Sequence, residues 1–323
     1  MSESQRLVEI DICRGIAMLS IVYAHTMGHS EFYSNLRTFD VCLLVFLSGY
    51  VSSVKGSIKD FLIKRIVRLV IPVWFFLSIY FLFIFIFNVL GLIDYSFTLG
   101  NILGSYSLIN GIGYVWVIRV FLIVSILGYF LLKTISSERL IFIIVFILTG
   151  FTLLLNSIGL ENRIIYLFIL EPLPYLAPFM LGAFVKRFTF TKLSALLLLV
   201  FSFFCVVSIF LLKSSFFIKY PPSFYYIFYG CGMSLLVFIL VRSIFPYFYF
   251  LRYIGWFGVN SMPLYLWHIP ASKYFEKTTL EYTVFYQYIA MIGSGVVLLL
   301  VVRGLLTLWD VKMSSNARRW LEG

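Results

Sequence analysis

The sequence predicts an all-α polytopic membrane protein of about ten transmembrane helices, with both termini in the cytoplasm. Three observations predict it. The 323-residue chain is 62% hydrophobic, with a mean hydropathy of +1.01, whereas a soluble domain is roughly 45–50% apolar. Only 12% of its residues are charged, where about 25% is ordinary. Apolar runs of about 20 residues, the length that crosses a bilayer, recur from end to end. No long hydrophilic stretch lies between them, so residues 1–323 read as one membrane-embedded domain with no appended soluble domain.

The spans are placed in order. The first, 12–28, carries acids at its start, Arg14 and His25 inside it, and no small-x-small cleavage site, so it reads as a retained helix and not a signal peptide. The second, 39–54, is short and starts at Asp40; the third, 69–92, follows the basic "KRIVR". The connector 93–113 is the longest and has room for a re-entrant or interfacial piece. The fourth and fifth, 114–132 and 139–157, flank Lys133 and Arg139; the sixth, 164–185, is broken by Pro172 and Pro174. The remainder are 191–212, 223–242, 250–271 and 284–306.

Orientation follows from the basic residues. One set of alternate loops carries Arg6, Lys55, Lys59, Lys64, Arg65, Arg68, Lys133, Arg139, Lys186, Arg187, Lys192, Arg242, Arg252, Arg303, Lys312, Arg318 and Arg319. The other set carries only Arg37, Arg163, Lys213, Lys219, Lys273 and Lys277. The richer side is cytoplasmic by the positive-inside rule. The same rule accounts for the formal charge of +11, so the basic balance points to membrane lipids and not to nucleic acid. Cys13, Cys42, Cys205 and Cys231 lie in or beside apolar runs without paired spacing and read as packing residues.

Polar residues inside such spans are costly and tend to mark sites. Arg14 and His25 are eleven residues apart, so they share one helical face, about 16 Å apart along the axis. Asp11 lies one turn before Arg14, where the two can pair. Arg14 falls near the cytoplasmic end, either snorkelling to lipid phosphates or holding an anionic ligand. His25 falls in the outer half, and an imidazole is the side chain best suited to move a proton near neutral pH. Arg65 and Arg68 share a face at the cytoplasmic mouth of span three, as positive-inside flanks or as a forked phosphate site. Ser48-Gly49 interrupts span two, as a tight crossing requires. Asp40 is placed either to orient the imidazole or to cap its helix. Arg119, Glu171 and His268 fall at outer-half depth, with Arg119 and Glu171 an obvious pair. His29 follows His25 by four residues, but no zinc signature surrounds it, so no metal is expected.

Together these residues resemble the acyltransferase-3 family of bacterial membrane acyltransferases. "IDICRGIAMLSIVYAH" has that family's Arg-x10-His pattern at Arg14 and His25. "VFLSGY" has its Ser-Gly-aromatic element at Ser48, Gly49 and Tyr50, and "RIVR" its Arg-x-x-Arg element at Arg65 and Arg68. "PYLAPFMLGAFVKR" resembles the sixth span, and "NSMPLYLWHIP" the late segment ending in Tyr265 and His268. The resemblance covers nearly the full chain. It implies a cytoplasmic acyl-CoA donor, acetyl-CoA in the simplest case, and an acceptor hydroxyl on a surface polysaccharide or lipid-linked sugar outside a bacterial cytoplasmic membrane. It implies His25 as the essential residue, with Arg14, Arg65, Arg68 and Ser48 serving the donor. Asp40, Arg119 and His268 are assigned supporting roles in the chemistry, with Arg119 or His268 at the oxyanion, and Glu171 and Tyr265 are assigned to the acceptor. Broken spans with buried charges also suit a transporter or flippase, although no internal repeat supports one.

Overall fold

The computed structural model describes residues 8–28, 31–54, 56–91, 97–109, 115–157, 162–188, 200, 203, 207, 218–245, 247–277 and 282–308. These residues form helices and their connections, with no strand and one isolated bridge between Lys219 and Pro222. The α-helices are α1 (Val8–Ala24), α2 (Glu31–Leu36), α3 (Asp40–Val51), α4 (Ile58–Val89), α5 (Leu99–Tyr106), α6 (Trp116–Thr134) and α7 (Glu138–Ser157). They continue as α8 (Arg163–Ile165), α9 (Leu176–Arg187), α10 (Phe224–Ile244), α11 (Arg252–Val259), α12 (Ser261–Trp267), α13 (Ile269–Lys277) and α14 (Val284–Leu308).

Among the described residues, 6 helical segments are long and apolar enough to cross a membrane: Ile58–Val89, Trp116–Thr134, Glu138–Leu155, Arg163–Arg187, Phe224–Ile244 and Val284–Leu305. The remaining expected spans take other forms. Helix α1 has 17 residues and begins and ends about a turn earlier than 12–28. Helix α3 has 12 residues. The expected span 191–212 lies outside the described residues apart from 200, 203 and 207. The expected span 250–271 is not one helix but three, α11 to α13. Its breaks have local causes. The Asn260 side chain donates to the Trp256 carbonyl at 2.8 Å, a local bond that competes with helix continuation. Pro263 and Pro270 then lack the N–H that a continuous ladder needs.

Pro172 and Pro174 divide the sixth span as expected. Arg163–Arg187 runs as α8, a π turn at Tyr166–Leu170, a 3-10 turn at Leu173–Tyr175, and α9. Helix α4 is longer than its expected span. Ser57 caps it by accepting from the Asp60 N–H, and its 32 residues extend about 48 Å, more than the roughly 30 Å of hydrocarbon. Its first turns carry Lys59, Lys64, Arg65 and Arg68, so this basic set sits on helix and not in a loop.

The chain divides into two compact units. The first comprises Met1–Ala24, His29–Lys55 and Ile123–Ser261; the second comprises His25–Gly28, Gly56–Leu122 and Met262–Gly323. In the first, α3 packs against α1, α9 and α10, α9 also packs on α7, and α11 packs on α1. Two crossings bring backbones into contact. A Cβ on Gly49 would strike the Phe179 carbonyl, and one on Gly182 the Phe46 carbonyl. A Cβ on Gly258 would strike the Asp11 carbonyl, and one on Gly15 the Ile254 carbonyl. Such small-residue crossings are how helices associate in lipid, where apolar burial drives nothing.

In the second unit α5 packs on α4, and α13 on α14. The Trp74 indole donates to the Tyr106 carbonyl at 2.9 Å, and Ser78 Oγ meets the Tyr106 hydroxyl at 2.7 Å. The Phe76 ring meets Trp267 edge-on at 5.1 Å.

Candidate active site

The residue on which the sequence reading most depends, His25, is the first past the end of α1 and is half-buried. It was expected inside a helix reaching residue 28, on one helical face with Arg14. The helix ends early because the backbone beyond it has another partner. The Met27 N–H donates to Gln287 Oε1 at 2.7 Å. Gln287 Nε2 donates in turn to the carbonyls of Met27, at 3.4 Å, and Tyr282, at 2.9 Å. Gln287 is 5% exposed in α14, so the amide clasps the turn that presents His25.

Facing it is His268, at the junction of α12 and α13 and 1% exposed. His25 Nδ1 lies 2.7 Å from His268 Nε2. The ring planes differ by 7° and the centroids are 5.0 Å apart. That separation matches the N···N distance extended by the two ring radii, so the imidazoles meet edge to edge in one plane and do not stack by their faces. This is the linear arrangement a hydrogen bond prefers. His268 Nδ1 addresses the Leu264 carbonyl at 3.2 Å. The Tyr265 ring lies 5.8 Å from the His268 ring. The backbone N–H of Ser272 donates to the His268 carbonyl at 3.1 Å. The sequence reading thus named His25, His268 and Tyr265, and they come together in the second unit. Gln287 was missed, although a lone amide in the apolar α14 is the type of intramembrane polar residue that signals a site.

Arg119, also in the second unit, is 4% exposed. Its Nη1 donates to the carbonyl of Leu108 and, at 3.3 Å, to that of Ile109. Leu108 has φ of 61°, a left-handed conformation unusual for a branched side chain, and the guanidinium secures the carbonyls around it. Arg65 lies over the Phe61 ring at 5.3 Å. Arg68, on the same face of α4, is exposed.

The other expected residues lie in the first unit. Asp11 and Arg14 pair as their spacing implied, at 3.4 Å. Asp40 is fully buried. Its carboxylate takes Arg37 at 3.0 Å, Lys219 at 3.6 Å and the Val41 N–H at 2.6 Å. The sequence treated Arg37 and Lys219 only as outer-loop charges. Ser48 is buried in α3 beside the Gly49 crossing, and Glu171 is 3% exposed, its N–H bonded to the Tyr166 carbonyl at 3.0 Å across the π turn. Arg119 and Glu171, expected as a pair, are both buried. Cys13, Cys42 and Cys231 are buried thiols; Cys205 and His29 lie outside the described residues. Among the described residues no three histidines, cysteines or carboxylates converge as a metal site requires.

Two imidazoles in line, one of them at a half-buried turn, suit proton transfer to or from a bound hydroxyl. No curated protein and no solved structure matches the chain. The profile described as an acyltransferase domain, that of the acyltransferase-3 family, matches residues 7–306, a stretch that takes in His25, His268, Arg14, Arg65, Arg68 and Arg119. The chain therefore belongs to the acyltransferase-3 family and is a multi-pass membrane acyltransferase.

Proposed function

We propose that the protein moves an acyl group, acetyl in the simplest case, from cytoplasmic acyl-CoA to a hydroxyl of a surface polysaccharide or lipid-linked sugar. The acceptor lies on the outer side of a bacterial cytoplasmic membrane, which the chain crosses ten times with both termini inside. The observation that carries the chemistry is the in-plane contact of His25 with His268 at 2.7 Å, in a chain whose family transfers acyl groups.

His25 takes the proton of the acceptor hydroxyl as its oxygen attacks the thioester carbonyl carbon. A C–O bond forms, and the tetrahedral intermediate expels CoA thiolate as the C–S bond breaks. The imidazolium returns its proton to the thiolate, so the enzyme ends as it began. Arg119 is the cation assigned to the oxyanion. Arg65 and Arg68, with Arg14 and Ser48, hold the donor, the guanidiniums serving its phosphates. Asp40 braces its own region, and Glu171 and Tyr265 serve the acceptor.

The test is release of CoA thiol by the full chain in nanodiscs supplied with acetyl-CoA and a glycan acceptor, with acyl mass gain of the acceptor read in parallel. Replacing His25 by Ala lowers transfer by at least about 10²-fold while leaving the melting temperature near wild type. A fully active H25A, or acceptor movement with no CoA released, overturns the reading. Arg65→Met raises KM for acyl-CoA about tenfold at constant kcat, the signature of lost uniform binding; an unchanged KM removes Arg65 from the donor site.

A further inference from the structure

We propose that His268 is a positioning residue that fixes the tautomer of His25, placing the proton-accepting lone pair on His25 Nε2. The inference rests on the reading of His25 as proton acceptor and deepens it.

The tautomer propagates from one backbone oxygen. The Leu264 carbonyl can only accept, and His268 Nδ1 lies 3.2 Å from it, so that nitrogen carries the hydrogen. A proton on Nε2 instead would set two lone pairs against each other. A doubly protonated His268 would place a charge at a site only 1% exposed, and among the described residues no carboxylate contacts it. Burying such a charge unpaired is costly. Neutral His268 therefore presents a bare Nε2 to its neighbour. At 2.7 Å from that lone pair, His25 Nδ1 must be the donor, and His25 keeps its own lone pair on Nε2. The arrangement parallels the carboxylate that holds a catalytic histidine in the correct tautomer in hydrolase triads, with a neutral imidazole as the orienting acceptor. When His25 gains a proton on Nε2, its Nδ1–H still donates to His268, so the ring does not turn during the reaction.

The chain has 3 histidines, so ring-¹⁵N labelling of the full-length protein yields a spectrum of three imidazoles. His29→Ala and His268→Gln assign them. At neutral pH both His25 and His268 are expected with Nδ1 protonated and Nε2 bare. A proton on His25 Nε2 with Nδ1 bare, or a doubly protonated His268, overturns the inference. The spectrum needs no substrate, so it holds or fails apart from any assay of acyl transfer; an inactive protein showing these tautomers refutes the proposed function and supports this inference. In kinetics, His268→Gln supplies an amide oxygen to the His25 Nδ1–H and keeps kcat within about tenfold, whereas His268→Met lowers kcat by roughly 10²–10⁴ at unchanged KM for acyl-CoA. Equal loss in both variants, with both melting like wild type, overturns it as well.

Discussion

Asp40 is fully buried, yet it carries a charge shared by two cations. Arg37 and Lys219 are only partly exposed, at 18% and 23%, so removing the carboxylate leaves their charges poorly compensated. Asp40→Asn should destabilise the folded state by about 2–3 kcal/mol, below the usual cost of a fully buried pair because both cations still reach solvent. The check is thermal melting in detergent, with a fall of several degrees expected; an unchanged melting temperature shows that the three groups do not act as a network. At this scale legibility depended on separation along the chain. Asp11 and Arg14 paired as their three-residue spacing implied, because helix geometry alone brings such residues together. His25 and His268 were each singled out as polar residues in apolar runs, but no local rule could bring them within 2.7 Å of each other. The contacts of Gln287 were hidden for the same reason: its partners are backbone groups of Met27 and Tyr282, which every residue type possesses.

At the scale of elements, hydrophobic run length located the helices, and hydrogen-bond competition decided where they stop. The end of α1 is set by an amide from α14, and the division of 250–271 by Asn260 and two prolines. The prolines were readable, but apolar periodicity continues through them. The Ser48-Gly49 interruption was read as a possible tight crossing, and α3 and α9 do meet there with backbone against backbone. This makes a paired prediction. Gly49→Ala and Gly182→Ala each insert a Cβ into a carbonyl oxygen of the facing helix, and overpacking of this kind costs about 1–3 kcal/mol or more. A Cβ on Gly150 in α7 would meet nothing within 4 Å, so Gly150→Ala should be neutral or slightly stabilising through helix propensity. Melting curves of the three variants decide it. A loss in Gly150→Ala equal to the other two would mean that alanine is disfavoured for a reason other than the crossing.

At the scale of the whole molecule, the proposed orientation can be tested in the first unit, where shared hydrogen bonds group the helix ends. At the C-terminal end of α3, Lys186 donates to the Ser52 carbonyl at 2.7 Å. Beside it Arg187 donates to the carbonyls of Ile135 and Ser136, at 3.1 and 3.2 Å. The ends of α3, α6 and α9 therefore lie together, and this end is rich in lysine and arginine. At the opposite end of α3, Asp40 takes Arg37 and Lys219, and the Tyr229 hydroxyl donates to the Leu36 carbonyl at 2.7 Å. Lys186 thus lies at one end of α3 and Lys219 at the other. Under the proposed topology a seventh span at 191–212 joins these ends; apart from 200, 203 and 207 it lies outside the described residues. Under the orientation we propose from the positive-inside rule, the Ser52 end is cytoplasmic. Single cysteines test the assignment. With a membrane-impermeant maleimide, Ile218→Cys should be labelled on intact spheroplasts, and Ser137→Cys only after the membrane is opened. Both positions are exposed, so a missing label reports sidedness and not burial. Labelling of both from the same side would require an even number of crossings between Ser137 and Ile218 and would overturn the proposed orientation.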